Sequence, residues 1–246
     1  MKKVFISTTV FASLAIATAT AFAAVNTTSN TSHPAQSAAV SVAAVNSNSV
    51  GTVEYAKKTL YHPDGSIAAV DETWADLATH NQRSDYREPV QGKDSLQRVG
   101  GGYVLNNGSK YIKVGTNDEG NAIGYELTAK TADQNWSKLL VAEKQDYVDE
   151  YKEGTRRAGW IDAGNVKTAD GQSLRKLSRT DKSNTFNKTY TESVFLNESG
   201  LPVQGEIYEV VNDKANLLYT YEYEFKNVSN DGSLFDTSAI QLQEIK

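Results

Sequence analysis

Tyr219-Thr220-Tyr221-Glu222-Tyr223-Glu224-Phe225 alternates aromatic and polar residues without a break. Successive side chains of a strand point to opposite faces, so Tyr219, Tyr221, Tyr223 and Phe225 share one face while Thr220, Glu222 and Glu224 share the other. The pattern predicts a strand that covers apolar material on one side and meets water on the other. Immediately upstream, a strand ending near Phe195 gives way to the turn Asn197-Glu198-Ser199-Gly200-Leu201-Pro202-Val203. A strand through Glu206-Ile207-Tyr208 follows, and then Leu217-Leu218 enters the aromatic strand.

Outward from this stretch, turn signals recur at hairpin spacing: His62-Pro63-Asp64-Gly65, Asn106-Asn107-Gly108, Asn117-Asp118-Glu119-Gly120, Asp170-Gly171 and Asp231-Gly232. Asn-Gly and Asp-Gly pairs supply the positive φ of tight turns, which predicts a mainly antiparallel sheet. The expected strands are 52–61, 66–76, 82–88, 97–105, 110–114, 122–128, 173–179, 188–196, 203–211, 217–225 and 240–245. One segment departs from this rhythm. Thr131-Ala132-Asp133-Gln134 has capping-box spacing, and Trp136, Leu139, Leu140, Tyr147, Val148 and Tyr151 recur at three- and four-residue intervals up to Gly154. These residues predict one amphipathic helix over 131–153, whose apolar stripe needs the concave side of the sheet to cover it.

The order of parts resembles the lipoprotein-carrier (LolA-like) superfamily. Beside the C-terminal strands, the resemblance rests on Asp71-Glu72-Thr73-Trp74, Gln82-Arg83-Ser84-Asp85-Tyr86-Arg87 and Gly102-Tyr103-Val104-Leu105 before Asn107-Gly108-Ser109-Lys110-Tyr111, and it spans most of 52–245. It implies a curved antiparallel sheet, an unclosed β-barrel, with a helix packed on its concave side and a hydrophobic ligand held there. An amphipathic helix before the first strand, usual in the carriers, is missing from the pattern.

Met1-Lys2-Lys3, the apolar stretch Val4 to Phe22 and Ala21-Phe22-Ala23 have the form of a secretory signal cleaved near Ala23-Ala24. Residues 24–50 are almost wholly Ala, Ser, Thr, Asn and Val, with no charged residue, a composition expected of a flexible linker. Residues 51–246 are then one β domain. With no cysteine in the chain, neither a disulfide framework nor a thiolate metal site is available. Loss of Lys2 and Lys3 from the 25 basic residues leaves 23 against 30 acidic, a net charge of −7. Nucleic acid is therefore not an expected partner, nor is a transmembrane anchor expected after cleavage. The expected location is the cell envelope or the exterior.

No catalytic constellation stands out. Of three histidines, His33 lies in the linker and His62 in a turn, which leaves His80 near strands. Neither a Gly-x-Ser-x-Gly nor a Cys nucleophile is present. Glu222 and Glu224 read as a solvated strand face. The stretch from Gly115 to Gly120 with Glu126 has EF-hand spacing at two positions, but it lacks a ligand at the first and is flanked by strands, so a hairpin turn is expected there. The 13 tyrosines and 3 tryptophans admit two readings, a partly wet pocket wall or a plain β-core. The expectation is a non-enzymatic protein without metal or cofactor that binds a lipid, acyl chain or lipidated protein through Trp74, Tyr103, Tyr125, Trp136, Leu140, Tyr221 and Tyr223. The alternative is an envelope protein-interaction or sensor module with a solid core, as in the sigma-factor regulators that share the resembled fold.

Overall fold

Hairpins set the course of the chain. The computed structural model describes residues 51–117, 119–128, 143–157, 159–168, 171–183 and 188–243; the expected signal segment 1–23, the linker 24–50, Trp136 and Leu140 lie outside them. The strands are β1 (Gly51–Tyr61), β2 (Ile67–Asp76), β3 (Asn81–Pro89), β4 (Leu96–Leu105), β5 (Lys110–Thr116) and β6 (Ala122–Thr128), then β7 (Ile161–Lys167), β8 (Ser173–Ser183), β9 (Lys188–Leu196), β10 (Pro202–Val211), β11 (Lys214–Asn230) and β12 (Gln241–Gln243). Helix α1 (Lys144–Arg157) falls between β6 and β7.

The strands form one sheet in the order β12-β6-β5-β4-β3-β2-β1-β11-β10-β9-β8-β7. It is mainly β, curved and unclosed, with the ends β7 and β12 unpaired to each other. Register shifts at Leu60/Tyr61, Tyr86/Arg87, Pro202/Gln204, Ile207/Tyr208 and Asp162/Asn165 bend and twist it. The Gly115–Gly120 stretch is a hairpin connection, as expected: Asn117 Oδ1 accepts from the backbone N–H of Glu119 and Asn121 between antiparallel β5 and β6.

Four departures from expectation have local causes. β7 was not anticipated, because Gly164 interrupts an almost wholly exposed sequence that backbone pairing with β8 and the Arg175–Asp162 ion pair hold as a strand. β11 begins at Lys214 rather than near 217, since Asn212 and Asp213, at φ 50° and 61°, close the two-residue turn that an Asn-Gly would ordinarily mark. It runs on to Asn230 because β1 pairs with it along its whole length, Gly51 to Asn230 through Tyr61 to Thr220. β12 pairs parallel with β6, the one parallel pairing among the described residues.

The expected helix start at 131 lies outside the described residues; within them Glu143 is not helical, and α1 begins at Lys144 and runs past 153. Asp146 Oδ2 accepts the Glu143 N–H at 3.0 Å, and Glu54 Oε2 accepts the Lys144 N–H at 3.0 Å, so two carboxylates meet the positive end of the dipole at 143–144. At the other end α1 passes through Gly154 to Arg157, and Gly159, at φ 74°, supplies the left-handed stop.

Strand register divides the side chains between two faces. On the helix face, Tyr151, Trp160, Leu177, Val194 and Leu196 form a core with Tyr147 against it. On the outer face, Val53, Tyr55 and Trp74 are covered by Val228, Leu234 and Phe235, and Tyr103, Ile112 and Val114 by Leu105, Ala122 and Ile240. The segment after β11 therefore crosses the outer face on its way to β12. No helix among the described residues is long and apolar enough to cross a membrane.

Candidate functional site

The aromatic strand that decides the fold also floors the site. β11 places Tyr221, Tyr223 and Phe225 on the helix face, with Tyr223 and Phe225 stacked at 5.7 Å and 9°. Tyr147 of α1 meets Tyr223 and Phe225 edge-on at 5.8 and 5.1 Å. Tyr221, 1% exposed, lies across Gly205 of β10, where a Cβ would fall 2.1 Å from its ring. Only glycine permits that approach.

Beneath these rings the site is charged. The Tyr221 hydroxyl donates to Glu192 Oε1 at 2.9 Å, while Arg179 Nε and Nη2 donate to Glu192 Oε2 at 3.0 and 2.8 Å. The Arg179 guanidinium rests over Trp160 at 4.7 Å, and Lys58 Nζ lies 4.1 Å from the Tyr221 ring centre. Lys58 stands opposite both Tyr223 and Asp71, which brings Asp71 to the same face. Burial pushes the Asp71 carboxyl up to about 6, against the pull of Lys58 and with Asp85 and Glu72 adding to the rise. Glu150 on α1 is also raised, first by burial and then by Glu192, with Arg179 and Lys58 opposing. Burial likewise drives Tyr147, Tyr151, Tyr221 and Tyr223 upward, so all four stay neutral hydroxyls. The space between α1 and β8–β11 is thus filled by rings and a paired charge. A cleft of about 310 Å³ at the edge of this region is open and rimmed by Lys152, Arg175 and Glu198.

The β1–β4 part of the same face differs. Its floor carries a run of small buried residues, Ala56, Ala69, Thr73, Ala75, Ser84 and Gly102, between the larger Tyr86 and Val104. Gln82 of β3, paired with Ala75 and Val104, points to this face and is 4% exposed, and its Oε1 has no hydrogen-bond partner. An orphaned buried acceptor is costly, and it calls for an explanation.

The expected site residues divide accordingly. Tyr221 and Tyr223 come together under α1, and Tyr125, half-buried on β6, shares their face at the far side of the sheet. Trp74 and Tyr103 lie on the outer face, where Arg83 sits 4.7 and 5.6 Å from their rings. Trp136 and Leu140 are outside the described residues. Lys58, Asp71, Gln82, Arg179 and Glu192 were not anticipated. Strand alternation alone could have assigned each a side, but gathering them required the pairing order of the strands. His62 packs against Tyr219 at 5.4 Å, and His80 is exposed in the β2–β3 turn at φ 53°. Among the described residues no group of three or more His, Asp or Glu could hold a metal ion.

These features define a class: a curved, unclosed, mainly β sheet carrying one helix over an aromatic, internally charged face. No family model matches the chain. No curated protein matches it. Among solved structures it is similar to MucB in complex with MucA(peri), at 15% identity over 79% of this chain and 56% of that one, TM-score 0.36. It is similar to MucB alone at 13% identity over 78% and 60%, TM-score 0.38, and to PNGF-II at 11% identity over 79% and 31%, TM-score 0.33. The chain spans little more than half the length of the MucB chains. At such scores likeness defines no shared family, and function has to be argued from the chain's own geometry.

Proposed function

We propose that the chain is an exported, non-enzymatic binding protein that holds a lipid, acyl chain or lipidated protein against the helix face of its sheet, beside α1. The observation that carries this reading is the small-residue floor of β1–β4 together with the buried, unpartnered Gln82 Oε1. Small side chains on the sheet would give a bulky apolar body room once their present cover moved aside, and a single unpaired acceptor suits the hydroxyl or amide N–H of an amphiphile. Export rests on the form of residues 1–23, and the envelope or exterior is the location that follows.

A second reading, a protein-interaction module with a solid core, is favoured by the filled space between α1 and β8–β11. One titration separates the two. Fluorescent fatty acid or lipopeptide added to the purified chain is expected to bind at one saturable site and to be displaced by unlabelled acyl chain. Ala56→Leu, which fills the floor, is expected to weaken binding while the protein stays folded. A well-folded protein that takes up no acyl ligand would remove the carrier reading and leave the interaction module.

A further inference from the structure

On the outer face β2, β3 and β4 bring three guanidiniums to two carboxylates. Asp85, its side chain 1% exposed, is contacted by Arg83 Nη2 and Nε at 2.5 and 3.3 Å, by Arg87 Nη2 at 3.3 Å and by Arg98 Nη2 at 2.7 Å. Glu72 accepts the Tyr55 hydroxyl on Oε1 at 2.7 Å and Arg87 Nη1 on Oε2. A carboxylate offers about four lone-pair sites, so four contacts saturate Asp85. One positive charge is left over.

Backbone geometry creates this surplus. Gly102 and Gly100 stand opposite Ser84 and Tyr86 on the helix face, and unbroken alternation along β4 would send Arg98 to that face too. The register shift between Tyr86 and Arg87 drops Val99 from the pairing and brings Arg98 opposite Arg87 on the outer face. A bulge commonly re-aims a side chain in this way, and like charges directly opposite each other are destabilising unless something answers them.

The guanidiniums are held in place. Arg83 lies over Trp74 and Tyr103, Arg98 lies over Tyr103 at 5.6 Å, and Arg98 Nη2 also donates to the Ser84 carbonyl at 3.2 Å. The Arg87 and Arg98 side chains remain 34% and 19% exposed, and Arg87 Nε and Arg98 Nη1 make no hydrogen bond among the described residues. Lys57 stands on the same face between Glu72 and Glu224, which offset its charge, so the surplus is that of the arginines.

We infer that Arg87 and Arg98 form a binding site for a phosphate-type oxyanion on the outer face of the sheet. Arg87 Nε and Arg98 Nη1 offer an oxyanion one donor from each guanidinium, and side chains already held by Glu72, Asp85 and, for Arg98, the Tyr103 ring lose little freedom on binding. A soluble phosphate ester and the headgroup of an anionic lipid present the same chemistry.

The test uses the full-length chain dialysed into chloride buffer and titrated with inorganic phosphate, followed by calorimetry and by the arginine Nε–Hε NMR signals. Saturable binding with shifts at Arg87 and Arg98 is expected. Arg87→Gln and Arg98→Gln should each weaken it at least about tenfold, as loss of a charge-assisted bond does. Arg87→Lys, which keeps charge but not the fork, should fall between, and Lys182→Gln on β8 should change nothing. Co-sedimentation with phosphatidylglycerol rather than phosphatidylcholine vesicles, lost in Arg87→Gln, would mark a headgroup as the source; phosphate binding without vesicle binding would mark a soluble ester. Absence of both phosphate and phosphatidylglycerol binding overturns the site. So does undiminished binding in folded Arg87→Gln and Arg98→Gln, or, should those variants not fold, wild-type shifts confined to other arginines.

Discussion

Asp71 carries a pH dependence whose sign can be worked out. Its folded value, about 6, lies above the ordinary 3.8, so the folded state holds this proton more tightly than the unfolded chain. The resulting stabilisation is fully present below about pH 4 and is lost as pH rises through about 6; Glu150 shifts in the same direction. Melting temperatures of wild type and Asp71→Asn measured from pH 4 to 8 should therefore diverge in favour of the variant as pH rises. Parallel curves would refute the assignment. The Arg179–Glu192 pair makes a second prediction at this scale. Glu192→Ala leaves the Arg179 guanidinium over Trp160 with only the exposed Asp181 carboxylate at 3.3 Å and orphans the Tyr221 hydroxyl, and should cost about 3 kcal/mol in chemical denaturation. Replacing Arg179 and Glu192 together by Met and Leu should recover most of that loss, since no buried charge is then left unpaired and Asp181, which loses Arg179, is exposed. None of these partnerships was legible beforehand. Arg179 and Glu192 are 13 residues apart in sequence and read as ordinary polar strand positions, and only the β8–β9 register sets them side by side.

The elements were more legible than their partners, and for local reasons. Alternation in 219–225 and the glycine-bearing turns are properties of neighbouring residues, so most strands lie within a few positions of where the pattern puts them. β7 escaped because an exposed edge strand carries no apolar alternation to read, and Ile161, 70% exposed, is the extreme case. Thr131-x-x-Gln134 lies outside the described residues; the cap that the structure does describe, Glu143-x-x-Asp146, carries no Ser or Thr to mark it and is completed by Glu54 from β1. Asp146→Ala should consequently cost about 1 kcal/mol, a typical capping loss. Tyr151→Ala should cost about 3 kcal/mol or more, because it empties a site packed by Trp160, Leu177 and Val194. Equal effects of the two substitutions in urea denaturation would mean that α1 is held by its cap rather than by its buried face.

At the scale of the whole molecule, one sheet has to satisfy two faces, and the chain covers them with different segments. Helix α1 covers β8–β11 on one side; residues 231–240 cover β1–β5 on the other, with Leu234 and Phe235 over Val53, Tyr55 and Trp74 and Ile240 over Tyr103, Ile112 and Val114. The same segment carries the Leu234 carbonyl that accepts Arg83 Nη1 at 3.2 Å, which ties it to the arginine cluster. In the sequence, 231–245 reads as a turn and a closing strand, because Asp231-Gly232 marks a hairpin and nothing local announces a crossing to the far edge of the sheet. Truncation after Asn230 tests whether that crossing is structural. It would uncover Trp74, Tyr103, Ile112 and Val114 at once and remove β12 from the edge of β6. Exposed contiguous apolar surface beside an open strand edge favours association. The truncated chain is expected to melt well below the full-length protein and to aggregate in light scattering. Leu234→Asp with Phe235→Ser in the intact chain should lower the melting temperature in the same direction, though by less, since β12 and Ile240 stay in place. A truncated chain that remained monomeric with an unchanged melting temperature would mean that the outer face is stable in water and that the C-terminal crossing contributes nothing to the fold.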